Sequence, residues 1–120
     1  MKFSESLKKN ADFRDVYKNG ASYANRFLVM YVLKNGTKQN RLGISVSKKV
    51  GNSVIRHRLT RLIRESYRLQ EEIFKNGLDI VVIARVNAKH ASYQEVEQSL
   101  LRLANDHMIT ENEKNSHIID

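Results

Sequence analysis

The chain has 120 residues, enough for one domain with a modest core, and its lack of Cys excludes a disulfide framework and a thiolate nucleophile or metal site. Twenty-one Lys and Arg against 13 Asp and Glu give a formal charge of +8, which leaves nucleic acid, an anionic membrane surface or an acidic protein as partners. The longest unbroken apolar run, Phe27 to Leu33, is far short of a membrane span, MKFSESLKKN lacks the apolar core of a secretion signal, and the apolar face of residues 55 to 73 has no interfacial Trp or Phe, so the expectation is a cytoplasmic protein with no membrane partner.

In chain order, Lys8, Lys9 and Asn10 lead into a short helix on which Phe13, Val16 and Tyr17 share a face and Gly20 is the stop. Its aromatics are either core, the commoner fate, or a stacking surface for bases, and nothing local decides between the two. Phe27 to Leu33, FLVMYVL, has the content of a buried strand, and Asn35-Gly36 reads as a hairpin turn after it. Arg41 to Ser47 then alternates, with Leu42, Ile44 and Val46 on one side and Gly43, Ser45 and Ser47 on the other. The second side is small and polar, a poor core and a good floor for a ligand.

From about Asn52 the sequence reads as a helix, with Asn52 or Ser53 as the side-chain cap. At about 100° per residue, Ile55, Leu59, Leu62, Leu69 and Ile73 fall in one sector, while His57, Arg61, Arg64 and Arg68 lie roughly 150° away, flanked by Arg56 and Arg58. One side is built to pack and the other to meet anions. No Asp or Glu occurs from Val16 to Arg64, where eleven Lys and Arg fall. A merely solvated face would mix signs, because like charges four residues apart oppose the helix by a few tenths of a kcal/mol. That these are Arg and not Lys suits forked contact with phosphate.

Asn76-Gly77 breaks the chain, and Asp79 to Val86, DIVVIARV, is another strong strand. Ser92-x-x-Glu95 is a capping box opening a last helix, with Val96, Leu100, Leu103 and Ala104 at helical spacing. The result is one α+β RNA-binding domain over 1–109, in the order helix, two or three strands, helix, strand, helix, and a polar tail over 110–120 that is expected to be frayed.

No catalytic constellation stands out. The basic half has no carboxylate between Asp15 and Glu65, and Glu71, Glu72, Glu95 and Glu97 have the spacing of solvated helix surfaces. The four His form no HxxxH or HExxH pattern, and phosphate-binding Gly loops are absent. The expectation is a binder with no catalytic residue, no metal ligand, no cofactor of its own and no small-molecule substrate.

LGISVSKKVGNSVIRHRLTRLIRE resembles the signature of the bacterial ribonuclease P protein subunit, and LKKNADF at residues 7 to 13, Ala24-Asn25-Arg26 and IVVIAR at residues 80 to 85 agree with it. The likeness runs from Leu7 to Leu103. It implies an α-β sandwich of order α-β-β-(β)-α-β-α with a left-handed βαβ crossover through the arginine helix, a fold like the second domain of a small-subunit ribosomal protein (ribosomal protein S5 domain 2-like). It also implies a function, as the partner of a catalytic RNA, the ribonuclease P RNA, which with Mg2+ held through that RNA removes the 5′ leader of precursor tRNA. By the resemblance, Lys48, Lys49, Asn52, Arg56, His57, Arg58, Arg61, Arg64 and Arg68 contact the catalytic RNA. The leader-binding positions fall on Phe13, Tyr17, Tyr31, Ser45, Lys48 and Arg85. The chain departs from the family pattern at His57, where Asn is usual and where the charge would vary near neutral pH, and at Thr60, where Lys is usual. The competing reading is a structural RNA-binding protein of ribosomal type.

Overall fold

The computed structural model describes residues 1–111. Its centre is β5 (Leu78–Ala84), buried along almost its whole length. A strand apolar on both faces must be covered on both, so it takes an interior place in the sheet. It pairs antiparallel with β3 (Leu28–Lys34) on one side and parallel with β4 (Asn40–Ser45) on the other. The connection at Asn35-Gly36 is therefore not the hairpin the sequence suggested, because β5 lies between the two strands that it joins. Asn35 instead ties the crossing together: its amide nitrogen donates to the Gly77 carbonyl and its side chain donates to Asp79.

Two further strands complete a sheet of order β1-β4-β5-β3-β2. β1 (Ser4–Ser6) runs parallel to β4, and β2 (Ala21–Ala24) runs antiparallel to β3. β2 is the third strand for which the read order left room between the first two helices, whereas β1, ahead of the first helix, was not foreseen; both are short, mostly exposed and without apolar alternation. β1 is held by side chains. The Glu71 carboxylate accepts from the amides of Lys2 and Phe3, and the Ser4 hydroxyl shares a 2.7 Å hydrogen bond with that of Tyr67.

α1 (Asn10–Asn19) covers one face of the sheet, where Val16 is fully buried beside Leu7 and Val81. It ends where Gly20 turns to extended backbone, and the position admits only glycine because a Cβ there would lie 2.6 Å from the Val16 carbonyl oxygen and 2.9 Å from that of Val32. α2 (Ser53–Gln70) and α3 (Tyr93–Asp106) cover the other face, over the larger core built on Leu28, Met30, Leu42, Ile80 and Val82. β4 and β5 are adjacent and parallel and are joined through α2, which is the βαβ crossover implied by the resemblance.

α2 packs through Leu59, Ile63, Ser66 and Tyr67, with Ile55 and Leu62 at the margin. Leu69 is 55% exposed, so the apolar sector read from the sequence was rotated by most of one residue step. Tyr67 accounts for the shift. Its ring is buried against Phe74 and its hydroxyl meets Ser4 and Asn40, so an aromatic that hydropathy scores as neutral anchors the helix. The capping box on α3 is present as read, with Ser92 and Glu95 each accepting from the other's amide. Thr110 still bridges Phe74, and the Glu111 amide donates to the Ile73 carbonyl. The rest of the expected tail, 112–120, lies outside the described residues.

Candidate nucleic-acid interface

The outward face of α2 is one candidate surface. Asn52 caps the helix by accepting from the Ile55 amide at 3.0 Å, which fixes where the helix starts and so which residues face out. His57, Arg61 and Arg64 are exposed, and Arg61 and Arg64 have no hydrogen-bond or ion-pair partner among the described residues. The other helix cations are partly committed. Arg56 is half-buried and donates to the Gly51 carbonyl, and Arg58 donates to the Ala91 carbonyl at 2.7 Å. Arg68 forks onto Glu65 at 2.7 to 3.2 Å, a contact that raises the Arg68 pKa and lowers that of Glu65. Lys48 and Lys49 are exposed in the turn that leads into the helix. Thr60, half-exposed, turns its hydroxyl back to the Arg56 carbonyl and adds no charge to this face.

The second surface is the part of the sheet that α1 leaves open. Strand pairing sets side chains in rows: Gly43, Val81 and Tyr31 form one, and Ser45, Ile83 and Val29 form the next, further from α1. Phe13 and Tyr17, one helical turn apart, wall these rows. Tyr17 stands edge-on to Tyr31 with ring centroids 5.1 Å apart, and Phe13 lies 6.3 Å from Tyr17. Tyr17 is 37% exposed, while Phe13 and Tyr31 are half-buried. The rings are thus neither pure core nor a free surface; one side of the cluster packs and the other stays open.

The floor differs from the small strip anticipated. Gly43 is buried under the Phe13 ring, and Ser47 lies beyond the end of β4. The open floor is Ser45 with Ile83 and Val29, both half-buried and both missed in the sequence reading. Their signal was there: each is an alternate member of a strand whose other members fill the core. Past Ser45 and Ile83 a shallow depression runs to Ser47, Lys49 and Arg85. The Arg85 guanidinium donates to the Asn25 carbonyl at 2.6 Å, and the Asn25 side chain is itself locked to Ser99 and to the amides of Phe27 and Leu28. The loop 25–27 therefore aims Arg85, which gives the Ala24-Asn25-Arg26 triplet a structural task.

Several acids are engaged within the protein. Asp12 and Asp79 hold Arg41, Glu65 holds Arg68, Glu95 caps α3, and Tyr93 donates to Glu97. Glu71 is only 6% exposed, not the solvated surface acid that its spacing suggested. Burial alone would raise its pKa, but the neighbouring Ser4 hydroxyl and the hydrogen bonds from the Lys2 and Phe3 amides outweigh that and hold it below the ordinary value. Among the described residues no three His, Asp or Glu side chains come together as a metal site would need, and no helix is long and apolar enough to cross a membrane.

The family model described as Ribonuclease P matches residues 1–107. The ribonuclease P protein component of Lachnoclostridium phytofermentans is 60% identical over 106 residues, covering 88% of this chain and 91% of the relative. That of Clostridioides difficile is 52% identical over 101 residues, covering 83% and 89%. Among solved structures, the RNase P protein of Staphylococcus aureus superposes with a TM-score of 0.82 at 40% identity, over 88% of this chain and 97% of that one. The RNase P protein of Thermotoga maritima gives 0.79 at 34% identity, over 85% and 96%.

Proposed function

The chain belongs to the bacterial ribonuclease P protein family, and on that premise we propose that its α2 face grips the catalytic RNA while the groove beside α1 takes the 5′ leader of precursor tRNA. The chain is the protein component of an endonuclease that matures tRNA 5′ ends, and the RNA component carries the catalysis.

The division of labour rests on the character of the two surfaces. α2 offers exposed positive charge at Arg61 and Arg64, with Arg56, His57, Arg58 and Arg68 on the same helix, Lys48 and Lys49 in the turn before it and Asn52 fixing its start. That suits the phosphates of a folded RNA, where affinity comes from charge and shape. The groove offers rings and an uncharged floor at Phe13, Tyr17, Tyr31 and Ser45, with Lys49 and Arg85 lining the depression at its far end and Lys48 exposed in the adjoining turn. That suits a single strand, whose bases can stack while cations follow the backbone. The observation that carries the leader assignment is the exposed edge of the Tyr17–Tyr31 pair above an open strip of sheet.

Mg2+ enters through the RNA in this reading; Asp12 and Asp79 face Arg41, Glu65 faces Arg68, and Glu71 and Glu95 accept from backbone amides. The working complex is cytoplasmic, with the ribonuclease P RNA and precursor tRNA as partners. A purely structural RNA-binding role would leave leader removal unaffected. The test is 5′ maturation of a precursor tRNA with protein alone, RNA alone and both. Cleavage is expected from the RNA and greater cleavage from both, with none from the protein; a protein that adds nothing to the RNA would overturn the reading.

A further inference from the structure

Arg41 is one of the eleven Lys and Arg in the acid-free stretch from Val16 to Arg64, where charge alone would leave it free for phosphate. Its guanidinium is instead engaged on every nitrogen. Nε and Nη2 fork onto the Asp79 carboxylate at 2.8 and 2.6 Å, and Nη1 reaches Asp12 at 3.3 Å. Asp79 is 3% exposed and is also held by Asn35, so the Arg41 fork is anchored to β5 from below. Asp12 sits in the first turn of α1, next to Phe13. Consecutive residues of the helix thus dock on alternate residues of one strand, Asp12 on Arg41 and Phe13 on Gly43, which share a face of β4.

We propose that Arg41 is a positioning residue for the leader groove: with Asp79 and Asp12 it fixes the seat of α1, and so the height of the Phe13 and Tyr17 rings over the sheet. The inference rests on the leader reading given above. With two carboxylates against its guanidinium, Arg41 itself has no spare positive charge to offer a leader phosphate.

Electrostatics and positioning make opposite forecasts for Asp12→Asn. Deleting an acid beside a polyanion site should tighten RNA binding if charge were all that mattered. If the ion pair sets the rings, the same change loosens the leader's grip. The experiment uses the assembled enzyme, protein plus catalytic RNA, and compares affinity for precursor tRNAs with leaders of several nucleotides and of one. For Asp12→Asn the long-over-short ratio should fall by roughly 5-fold or more, the low end of one lost base–ring contact. Affinity for the one-nucleotide substrate, affinity for the catalytic RNA and its salt slope should be unchanged, and Asp12→Glu should restore the ratio. Arg41→Lys, which keeps the charge but loses the fork, should show the same loss with an unchanged salt slope. A wild-type ratio in both Asp12→Asn and Arg41→Lys overturns the inference and leaves the groove standing. A salt slope shallower by about one in Arg41→Met makes Arg41 a phosphate contact and overturns it as well. Loss of folding in both Asp12→Asn and Arg41→Lys would show that the network holds the fold and does not tune the groove. No leader-length effect in the wild type removes the groove and the inference together.

Discussion

The Phe13 ring lies directly on Gly43: a Cβ built on that glycine would stand 2.7 Å from both Cε1 and Cζ of the ring and 3.2 Å from the Leu7 side chain. The smallness of this strand face, which the sequence displays as Gly-x-Ser-x-Ser, therefore serves two purposes. Its first position seats a ring of the wall, and only its second, Ser45, is open floor.

Gly43→Ala should accordingly lift or turn Phe13. Overpacking of this kind costs about 1–3 kcal/mol, so thermal unfolding should shift down by several degrees while the fold persists. In the assembled enzyme the variant should lose leader-length discrimination and keep its affinity for the catalytic RNA. Retention of both wild-type stability and wild-type discrimination would contradict the contact.

On α2 the cations should not be equal. Arg61 and Arg64 are uncommitted, so Ala at either should shallow the log affinity versus log salt slope for the catalytic RNA by about one. Arg68 is engaged by Glu65, so Arg68→Ala should matter less and Glu65→Gln should tighten RNA binding by freeing that guanidinium. Equal effects from Arg61, Arg64 and Arg68, with none from Glu65→Gln, would count against this ranking.

Glu71 gives a pH-dependent prediction. Its folded pKa lies below the ordinary value, so its contribution to stability is fully present above about pH 4.5 and is lost as pH falls through the depressed value. Glu71→Gln removes a charged acceptor from the Lys2 and Phe3 amides and should lower stability at neutral pH by about 1–3 kcal/mol. The gap between variant and wild type should close as the solution is acidified below pH 4.5. Melting temperatures measured from pH 7 down to pH 3 check this, and a gap that stays constant over that range would rule it out.

Much of this was legible in the sequence, and the rest was hidden for identifiable reasons. The Arg-rich face of α2, the Asn52 cap and the Ser92–Glu95 capping box follow from local rules of spacing and hydrogen bonding, and the structure has them where they were read. Strand order was not local: nothing between Leu28 and Ser45 says that β5, over thirty residues later, will insert between β3 and β4. β1 was invisible because its stability comes from Glu71 and Tyr67, nearly seventy residues away. The engagement of Arg41 was hidden for a related reason, since counting charge along the chain cannot show that Asp12 and Asp79 converge on it. Whether Tyr17 and Tyr31 were core or surface could not be decided from periodicity, and the fold gives them a share of each.

The leader groove itself is tested most directly by one comparison. The affinity of the assembled enzyme for precursor tRNAs with a leader of several nucleotides and with one nucleotide is measured for wild type and for Tyr17→Ala, whose ring is the most exposed of the three. Wild type should prefer the longer leader, and a folded Tyr17→Ala should lose roughly 5- to 150-fold of that preference, the equivalent of one base stacked on a ring. A wild-type enzyme indifferent to leader length, or a folded Tyr17→Ala with its preference intact, would contradict the account.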